Sequence, residues 1–393
     1  MNQLSSRELV SSIMQELVDL GPRPHGSSAS ARAAAYLSGV LHKHGLGVKE
    51  HRFTAQAPVE VARLALELDG QTVPVQCEPF LESPPGLAEG TVHFDGYLRV
   101  WGTYEWECWS VRRDAEALGY LVGCALGEPI AQHLPAEVPR LPHALVSQPS
   151  SELLRSALSA GSAVKASLSV EPSVLAEGTC LRAFAGVDPL GRPGSAVPLI
   201  VAHYDTVPAS PGAYDNAAGT AAAVAASLAL SGRGVFPHLV LTGGEELGLS
   251  GSRALVNELS GAGRLGAIST AVVLDGGGRG RVAEAWLSAP DLDAGITAAF
   301  RGACKAHGYS ALVRRPAPPG SDHAAFSEAG IPAVMFTVND TAILHRPSDT
   351  FDERKVSASL WLAEAAERTV AWLNDRDEPV RSGTHEAVKE ATL

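Results

Sequence analysis

The chain has 393 residues, a length that predicts two domains or one large α/β domain with an insertion. Hydrophobic residues make up 45% of the sequence, enough for a sizeable buried core, and the formal net charge is −12. This acidic balance argues against nucleic acid as a partner, because phosphates carry the same sign of charge.

Nothing in the sequence indicates export or membrane insertion. The first twenty residues lack a basic segment followed by an apolar core, and no later run is long and apolar enough to span a bilayer. The five cysteines are odd in number, scattered and without a C-x-x-C pair, which favours reduced thiols. We therefore expect a cytoplasmic protein with no membrane partner and no disulfide framework.

Two helices are predicted at the beginning of the chain. Ser5 and Glu8 form a capping-box pattern, and apolar residues then recur at helical spacing up to residue 18. A second helix is predicted over 28–44, with a glycine directly after it. Strand-like stretches follow, and the Asp-Gly pair at 69–70 is typical of a hairpin turn.

The stretch 75–172 is predicted to be a separate, smaller α/β or β-rich unit. Strands are predicted at 91–100 and 120–126, and helices at 110–118 and 150–158. An aromatic cluster near its beginning is interpreted as core or as a lid beside a binding cleft, and it consists of Trp101, Tyr104, Trp106 and Trp109.

Beyond residue 175, short apolar runs alternate with helical stretches, and the runs are VPLIVA (197–202), HLVLT (238–242), AVVL (271–274) and IPAVMFTV (331–338). Such runs predict a mixed, mostly parallel sheet sandwiched by helices. The Ala-rich stretch 216–230 suits a helix buried against that sheet. We thus expect a main α/β domain built from 1–74 and 173–376, and a mobile tail over 377–393.

Imidazoles and carboxylates follow the predicted strands or precede the buried helix, and they are His203, Asp205, Asp215, Glu245, Glu246, Asp275 and His345. Because the carboxyl ends of parallel strands meet at one edge of a sheet, these groups are expected to gather there. Carboxylates so close would repel one another unless cations neutralised them. Histidine together with carboxylate suits Zn²⁺.

Several motifs together resemble those of the co-catalytic zinc aminopeptidases, the family that also contains glutamate carboxypeptidase II and the glutaminyl cyclases. The motifs are, in order, AHYDTV, AYDNAAG, GGEELGLSGS, SDHAAF and HRPSDT. GPRPHGS near the beginning resembles the segment that opens the catalytic domain of that family, and 75–172 loosely resembles its inserted protease-associated domain. The resemblance implies a zinc exopeptidase-like fold and two Zn²⁺ per chain.

The resemblance also implies residue roles. The first metal is held by His203, Asp215 and Asp275. The second metal shares the bridging Asp215 and adds Glu246 and His345. Glu245 is the general base, which needs a carboxylate close to the metals but not bound to them. Asp205 lies two residues beyond His203, so in an extended strand its carboxylate can accept the imidazole N–H that the metal does not use.

Four further positions have less defined roles. Asp349 is expected either to support the metal ligands or to cap a turn, and Asp322 and His323 either to support the site or to form structural hydrogen bonds. Leu344 stands where many members of the family have a tyrosine that polarises the scissile carbonyl. That work then falls to the metals alone, or to a donor such as His323 or Tyr204.

The predicted function is that of a zinc-dependent aminopeptidase, which hydrolyses the N-terminal peptide bond of small peptides by metal-activated water. A carboxypeptidase or amidase is an alternative, with Arg314 and Arg315 as candidates for binding a substrate carboxylate. A glutaminyl cyclase and a non-catalytic binding protein on the same fold are the other two. The sequence leaves the preferred side chain and the oligomeric state open.

Overall fold

The structure is a computed structural model that describes residues 5–100, 104–134, 138–188, 190 and 196–375. The helices are α1 (Ser6–Asp19), α2 (Ser28–Lys43), α3 (Gln148–Ser159), α4 (Ala218–Gly232), α5 (Ser250–Gly261), α6 (Asp293–His307), α7 (His323–Glu328) and α8 (Glu353–Asn374). Trp101 and the tail predicted at 377–393 lie outside the described residues.

The described strands form two eight-stranded sheets. The first contains β1 (Gly47–Gln56), β10 (Leu175–Phe184), β11 (Val197–His203), β12 (His238–Thr242), β13 (Ile268–Gly277), β14 (Val282–Ser288), β15 (Ser310–Arg314) and β16 (Ala333–Val338). The second contains β2 (Ala62–Leu68), β3 (Gln71–Val73), β4 (Cys77–Pro79), β5 (Gly86–Val100), β6 (Tyr104–Arg113), β7 (Glu116–Gly123), β8 (His143–Val146) and β9 (Val164–Val170).

The centre of the first sheet is parallel. Its strand order is β1-β10-β12-β11-β13-β16-β14-β15, and β12, β11, β13 and β16 all run in the same direction. Antiparallel pairs occur toward the edges, between β1 and β10, β10 and β12, and β14 and β16. The predicted mixed, mostly parallel sheet is confirmed, although β14 and β15 were not predicted individually.

Helices cover both faces of this sheet because its strands are apolar on both sides. On β11, Ala202 belongs to the core that contains α1, α4 and α8, whereas Val201 belongs to the core that contains α5 and α7. The predicted helix after residue 216 is α4, whose residues 218–227 are all buried. At Gly219, a Cβ would lie 2.3 Å from the carbonyl oxygen of Leu274, so only glycine allows α4 to approach β13 this closely.

The second sheet is built from strands between Ala62 and Val170, which we call the inserted unit (62–170). The hairpin predicted at 69–70 joins β2 to β3. The helix predicted at 110–118 is wrong: this stretch forms the end of β6, a turn at Asp114 with φ +55°, and the start of β7. Trp109 and Val111 lie two residues apart in the same core, a spacing that places both on one face of a strand.

The division at residues 74/75 and 172/173 stays a prediction, as does the likeness of the inserted unit to a protease-associated domain. Of the predicted aromatic cluster, Trp106 and Trp109 are core residues, whereas Tyr104 is 39% exposed. None of the described helices combines the length and apolarity that crossing a membrane would require.

The beginning of the chain is tied to the first sheet by one buried guanidinium. The capping box predicted at Ser5 and Glu8 forms at α1, and Arg23 follows in the loop before α2. Arg23 is fully buried and donates to five main-chain carbonyl oxygens, which belong to Leu17, Gly21, Tyr204, Pro211 and Gly212. This side chain therefore holds the loops after β11 against α1.

We expect Arg23→Met to lower the free energy of unfolding by about 2–4 kcal/mol, because several buried carbonyl oxygens lose their donors. Urea denaturation of the wild type and the variant measures this change. Arg32→Met is the matched control, since Arg32 is exposed on α2. A loss no greater than that of the control would show that Arg23 does not tie these segments together.

Candidate functional site

Three parallel strands bring acidic and imidazole side chains to one edge of the first sheet. His203 is the last residue of β11, Asp275 lies near the end of β13, and Glu245 and Glu246 follow β12. Asp215 lies in the short turn Ala213–Ala217, directly before α4, and its backbone is not helical (φ −122°, ψ 90°). All of these side chains are buried. The predicted convergence at the strand ends is therefore observed for these five residues.

His345 reaches the same place from the loop after β16. Its backbone has φ +56°, a left-handed conformation that costs a non-glycine residue about 1–3 kcal/mol. The side chain is buried, and its Nδ1 donates to the carbonyl oxygen of Ala131 at 2.6 Å. The Nε2 atom of the ring is therefore left facing the carboxylates.

The donor atoms form one continuous chain of short separations. His203 Nε2 lies 3.2 Å from Asp215 Oδ1 and 3.3 Å from Asp275 Oδ1. The other oxygen of Asp215, Oδ2, lies 3.2 Å from His345 Nε2, which lies 3.2 Å from Glu246 Oε2. Asp215 thus presents one oxygen to each of two separate donor groups.

These separations fit two tetrahedral metal sites. With metal–ligand bonds of about 2.0–2.1 Å, two ligand atoms of a tetrahedral zinc site are about 3.3 Å apart. In each of the two groups, His203–Asp215–Asp275 and Asp215–Glu246–His345, the two separations from the histidine nitrogen meet this spacing. Glu246 Oε1 is also buried without a hydrogen-bond partner, and so remains available as a ligand or acceptor.

Glu245 stands slightly apart from these atoms. Its Oε2 lies 4.0 Å from His203 Nε2, although three donor atoms of Glu245, His203 and Asp275 lie within 4.8 Å of one another. A carboxylate at this distance is close to the donor groups and outside the tetrahedral spacing around His203. The two adjacent glutamates therefore have different environments.

Burial and mutual repulsion shift the pKa values of the cluster. Burial raises the pKa of Glu245 well above its ordinary value, against the attraction of His203 and with the help of Asp275. Burial likewise raises the pKa of Glu246 to about 7, although His345 opposes it. Burial alone would lower the pKa of His203, but Glu245 and Asp275 hold it well above its ordinary value. The cluster thus holds more negative charge than its own side chains neutralise.

Asp205 braces the loop that carries the two glutamates. Its carboxylate accepts the main-chain N–H groups of Glu245 at 3.2 Å and Glu246 at 3.4 Å. The predicted contact between this carboxylate and His203 Nδ1 is longer, at 3.6 Å, and the main-chain oxygen of Asp205 is nearer to Nδ1, at 3.3 Å. Asp205 therefore contacts both the loop that carries the two glutamates and the ring of His203.

Asp349 supports the turn that presents Asp215. Its carboxylate accepts the N–H groups of Tyr214 at 2.8 Å and Asp215 at 3.1 Å, and it is fully buried. Lys355 of α8 pairs with Asp349 at 2.7 Å. Of the two roles expected for Asp349, the geometry favours support of the site over a turn cap.

The residues considered as substitutes for a tyrosine at position 344 have other partners. Tyr204 donates its hydroxyl to the carbonyl oxygen of Thr179 at 2.6 Å, and His323 Nε2 contacts the carbonyl oxygen of Pro318 at 2.8 Å. Neither residue lines the cleft, whereas Leu344 does. Asp322 is fully buried, and it accepts a hydrogen bond from Thr242 at 2.6 Å.

The donor cluster opens into a cleft of about 300 Å³. Most of its walls come from the main domain, including Trp286, Arg314 and Met335, but Tyr104 and His133 come from the inserted unit. Sequence reasoning missed the contribution of residues 131–133. The segment contains no motif, and its proximity to His345 depends on how the two units pack.

We expect Lys355→Met to lower the free energy of unfolding by about 3–5 kcal/mol, because it leaves the carboxylate of Asp349 buried and unpaired. Arg354→Met is the control, since Arg354 is next to Lys355 on α8 and its side chain is exposed. Thermal and urea unfolding of the two variants would measure the difference. Equal stabilities would contradict the supporting role of the Lys355–Asp349 pair.

Comparisons with known proteins support the fold. Residues 189–369 match the model of Peptidase family M28. The fold is similar to that of an aminopeptidase from Aneurinibacillus sp. strain AM-1, with a TM-score of 0.68 and 18% identity over 92% of this chain and 93% of that chain. It is also similar to BSAP, a zinc aminopeptidase from Bacillus subtilis, with a TM-score of 0.65 and 20% identity over 93% and 95% of the two chains.

A third similar structure is a Peptidase M28 precursor from Shewanella amazonensis SB2B, with a TM-score of 0.70 and 18% identity over 96% of this chain and 97% of that chain. No curated protein shows a significant sequence match. The resemblance inferred from the motifs is confirmed: residues 189–369, the part of the chain that carries the donor cluster, match peptidase family M28, and the fold is similar to those of aminopeptidases.

Proposed function

We propose that the protein is a two-zinc aminopeptidase. The observation that carries this proposal is the position of Asp215, whose two oxygens each lie 3.2 Å from a different histidine nitrogen. His203, Asp215 and Asp275 would hold one ion, and Asp215, Glu246 and His345 the other. When bound, such a pair lowers the pKa of water and polarises a carbonyl oxygen.

Glu245 is the proposed general base. Its carboxylate lines the cleft, and its Oε2 lies 4.0 Å from His203 Nε2, farther than two ligand atoms of one tetrahedral zinc ion. A carboxylate that does not bind the metal is free to hold a proton. It would accept a proton from the attacking water and return it to the leaving amine, a transfer that contributes about 10²–10⁴-fold to a rate. Burial and the neighbouring acids favour the protonated state that the second half of this transfer needs.

The charge of the cleft supports an aminopeptidase over a carboxypeptidase. Arg314 is the one lysine or arginine among the described cleft residues, and it is paired with Glu284. Arg315, the other candidate for binding a substrate carboxylate, is paired with Asp293. The remaining charge near the donor cluster is negative, which favours the cationic amino group of an N-terminus.

A panel of amide substrates tests this function. The protein should hydrolyse an aminoacyl arylamide with a free amino group, should leave its N-acetylated form intact, and should lose activity when a chelator removes zinc. Two equivalents of zinc per chain should restore the activity. Preferred cleavage of the acetylated substrate would favour an amidase or carboxypeptidase, and cyclisation of an N-terminal glutamine peptide without hydrolysis would favour a glutaminyl cyclase.

We expect Glu245→Gln to lower kcat by about 10²–10⁴-fold with both zinc equivalents retained, because glutamine keeps the shape but cannot accept the proton. Steady-state kinetics and metal analysis on the same sample measure both quantities. Glu246→Gln should instead weaken zinc binding, and Glu177→Gln, on the exposed side of β10, should behave like the wild type. Loss of zinc from Glu245→Gln would assign Glu245 to the ligands.

A further inference from the structure

We propose that His133 of the inserted unit is a substrate-contacting residue, which donates a hydrogen bond to the carbonyl oxygen of the bond that is cleaved. This inference rests on the proposed function and adds a residue to it. His133 lines the same cleft as Glu245, Glu246 and His345, but it belongs to the inserted unit, whereas these three belong to the main domain. The reacting site would then be completed by both units.

The backbone around His133 is fixed on both sides. The carbonyl oxygen of Ala131 accepts from His345 Nδ1 at 2.6 Å, and the carbonyl oxygen of Gln132 accepts from the N–H of Leu81 at 2.8 Å. On the other side, the N–H of Leu134 donates to Glu82 Oε2 at 3.3 Å. His133 is therefore held in place between anchored neighbours.

One of these anchors is a proposed metal ligand. His345 Nδ1 contacts both the carbonyl oxygen of Ala131 and, at 2.9 Å, the side-chain amide of the fully buried Gln132. A carbonyl that accepts the Nδ1–H fixes the tautomer in which Nε2 faces a metal. The segment that orients His345 thus also carries His133, which follows Gln132 directly.

The seam between the units passes beside the donor cluster. Leu81 and Ala131 of the inserted unit pack against Val207 and Leu247, and Leu247 directly follows Glu246. Arg346, next to His345, donates to the carbonyl oxygen of Leu126 at 2.8 Å. The inserted unit is therefore packed on the loops that carry the proposed ligands, next to the segment that contains His133.

Most other hydrogen-bond donors of the cleft wall are already engaged. Trp286, Arg314 and Asn339 all donate to the carboxylate of Glu284. Thr337 donates to the carbonyl oxygen of Gly276 at 3.1 Å. The ring nitrogens of His133, in contrast, have no hydrogen-bond partner among the described residues.

The ring of His133 can act as a neutral donor. Burial, with help from the nearby charge of His345, lowers its pKa to about 4, so at neutral pH it carries one N–H and no charge. Negative charge develops on the carbonyl oxygen when water attacks the carbon, and a fixed donor strengthens its hydrogen bond at that moment. Loss of one such donor typically lowers kcat by about 10²–10³-fold.

The test compares His133→Phe, which keeps a ring but has no donor, with His133→Gln, which restores an N–H. We expect His133→Phe to lower kcat by about 10²-fold with KM changed by less than about threefold, because the bond forms chiefly in the transition state. The affinity for a phosphinic dipeptide analogue, whose tetrahedral oxygen mimics that state, should fall by a similar factor. His133→Gln should recover a large part of both losses.

Two controls keep the result specific. His93→Phe removes an exposed histidine from the same unit and should match the wild type. All variants should retain the zinc content of the wild type. His133→Phe with kcat and phosphinate affinity within about twofold of the wild type would overturn the proposal, and so would loss of zinc from this variant, which would assign His133 to metal-site structure.

The outcome also separates this inference from the proposed function. If the wild type hydrolyses no substrate, the proposed aminopeptidase activity fails, and phosphinate affinity alone decides the role of His133. A weaker affinity in His133→Phe, recovered in His133→Gln, would then still support the contact. Equal affinity in the three proteins, or no binding to the wild type, would overturn it.

Discussion

The fold has to accommodate a concentration of negative charge at one sheet edge. Five carboxylates, those of Asp205, Asp215, Glu245, Glu246 and Asp275, are buried there within one cluster. Buried carboxylates repel one another and lose hydration, so without cations they bind protons instead. The two zinc ions proposed above would offset four of the five charges.

The protein surrounds this cluster with groups that fix it in place. Asp205 accepts the amides of the glutamate loop, Asp349 accepts the amides of the turn that carries Asp215, and Arg23 holds the loops after β11. The inserted unit contributes from the opposite side through the carbonyl of Ala131. Each proposed ligand loop thus has a buried hydrogen-bonding partner, and a site held this way loses little free energy to reorganisation when ions bind.

The parallel centre of the sheet and the donor cluster at its edge were predictable because each apolar run in the sequence is followed by carboxylates or an imidazole. The strand at 271–274 is predicted by its run of apolar residues, and Asp275 follows it directly. The helix predicted at 110–118 was wrong because the pairing of β6 with β5 and β7, which no local pattern reveals, decides the strand. The contribution of His133 was not predictable, since residues 133 and 345 meet only through the packing of two units, which leaves no local pattern.

The central claim is that two ions share Asp215. Anomalous diffraction at the zinc edge, from crystals of the protein loaded with zinc, tests it most directly. The account predicts two peaks about 3.5–4 Å apart, one within bonding distance of His203 and Asp275, the other within bonding distance of Glu246 and His345, with Asp215 between them. A single peak, or peaks that Asp215 does not bridge, would contradict it.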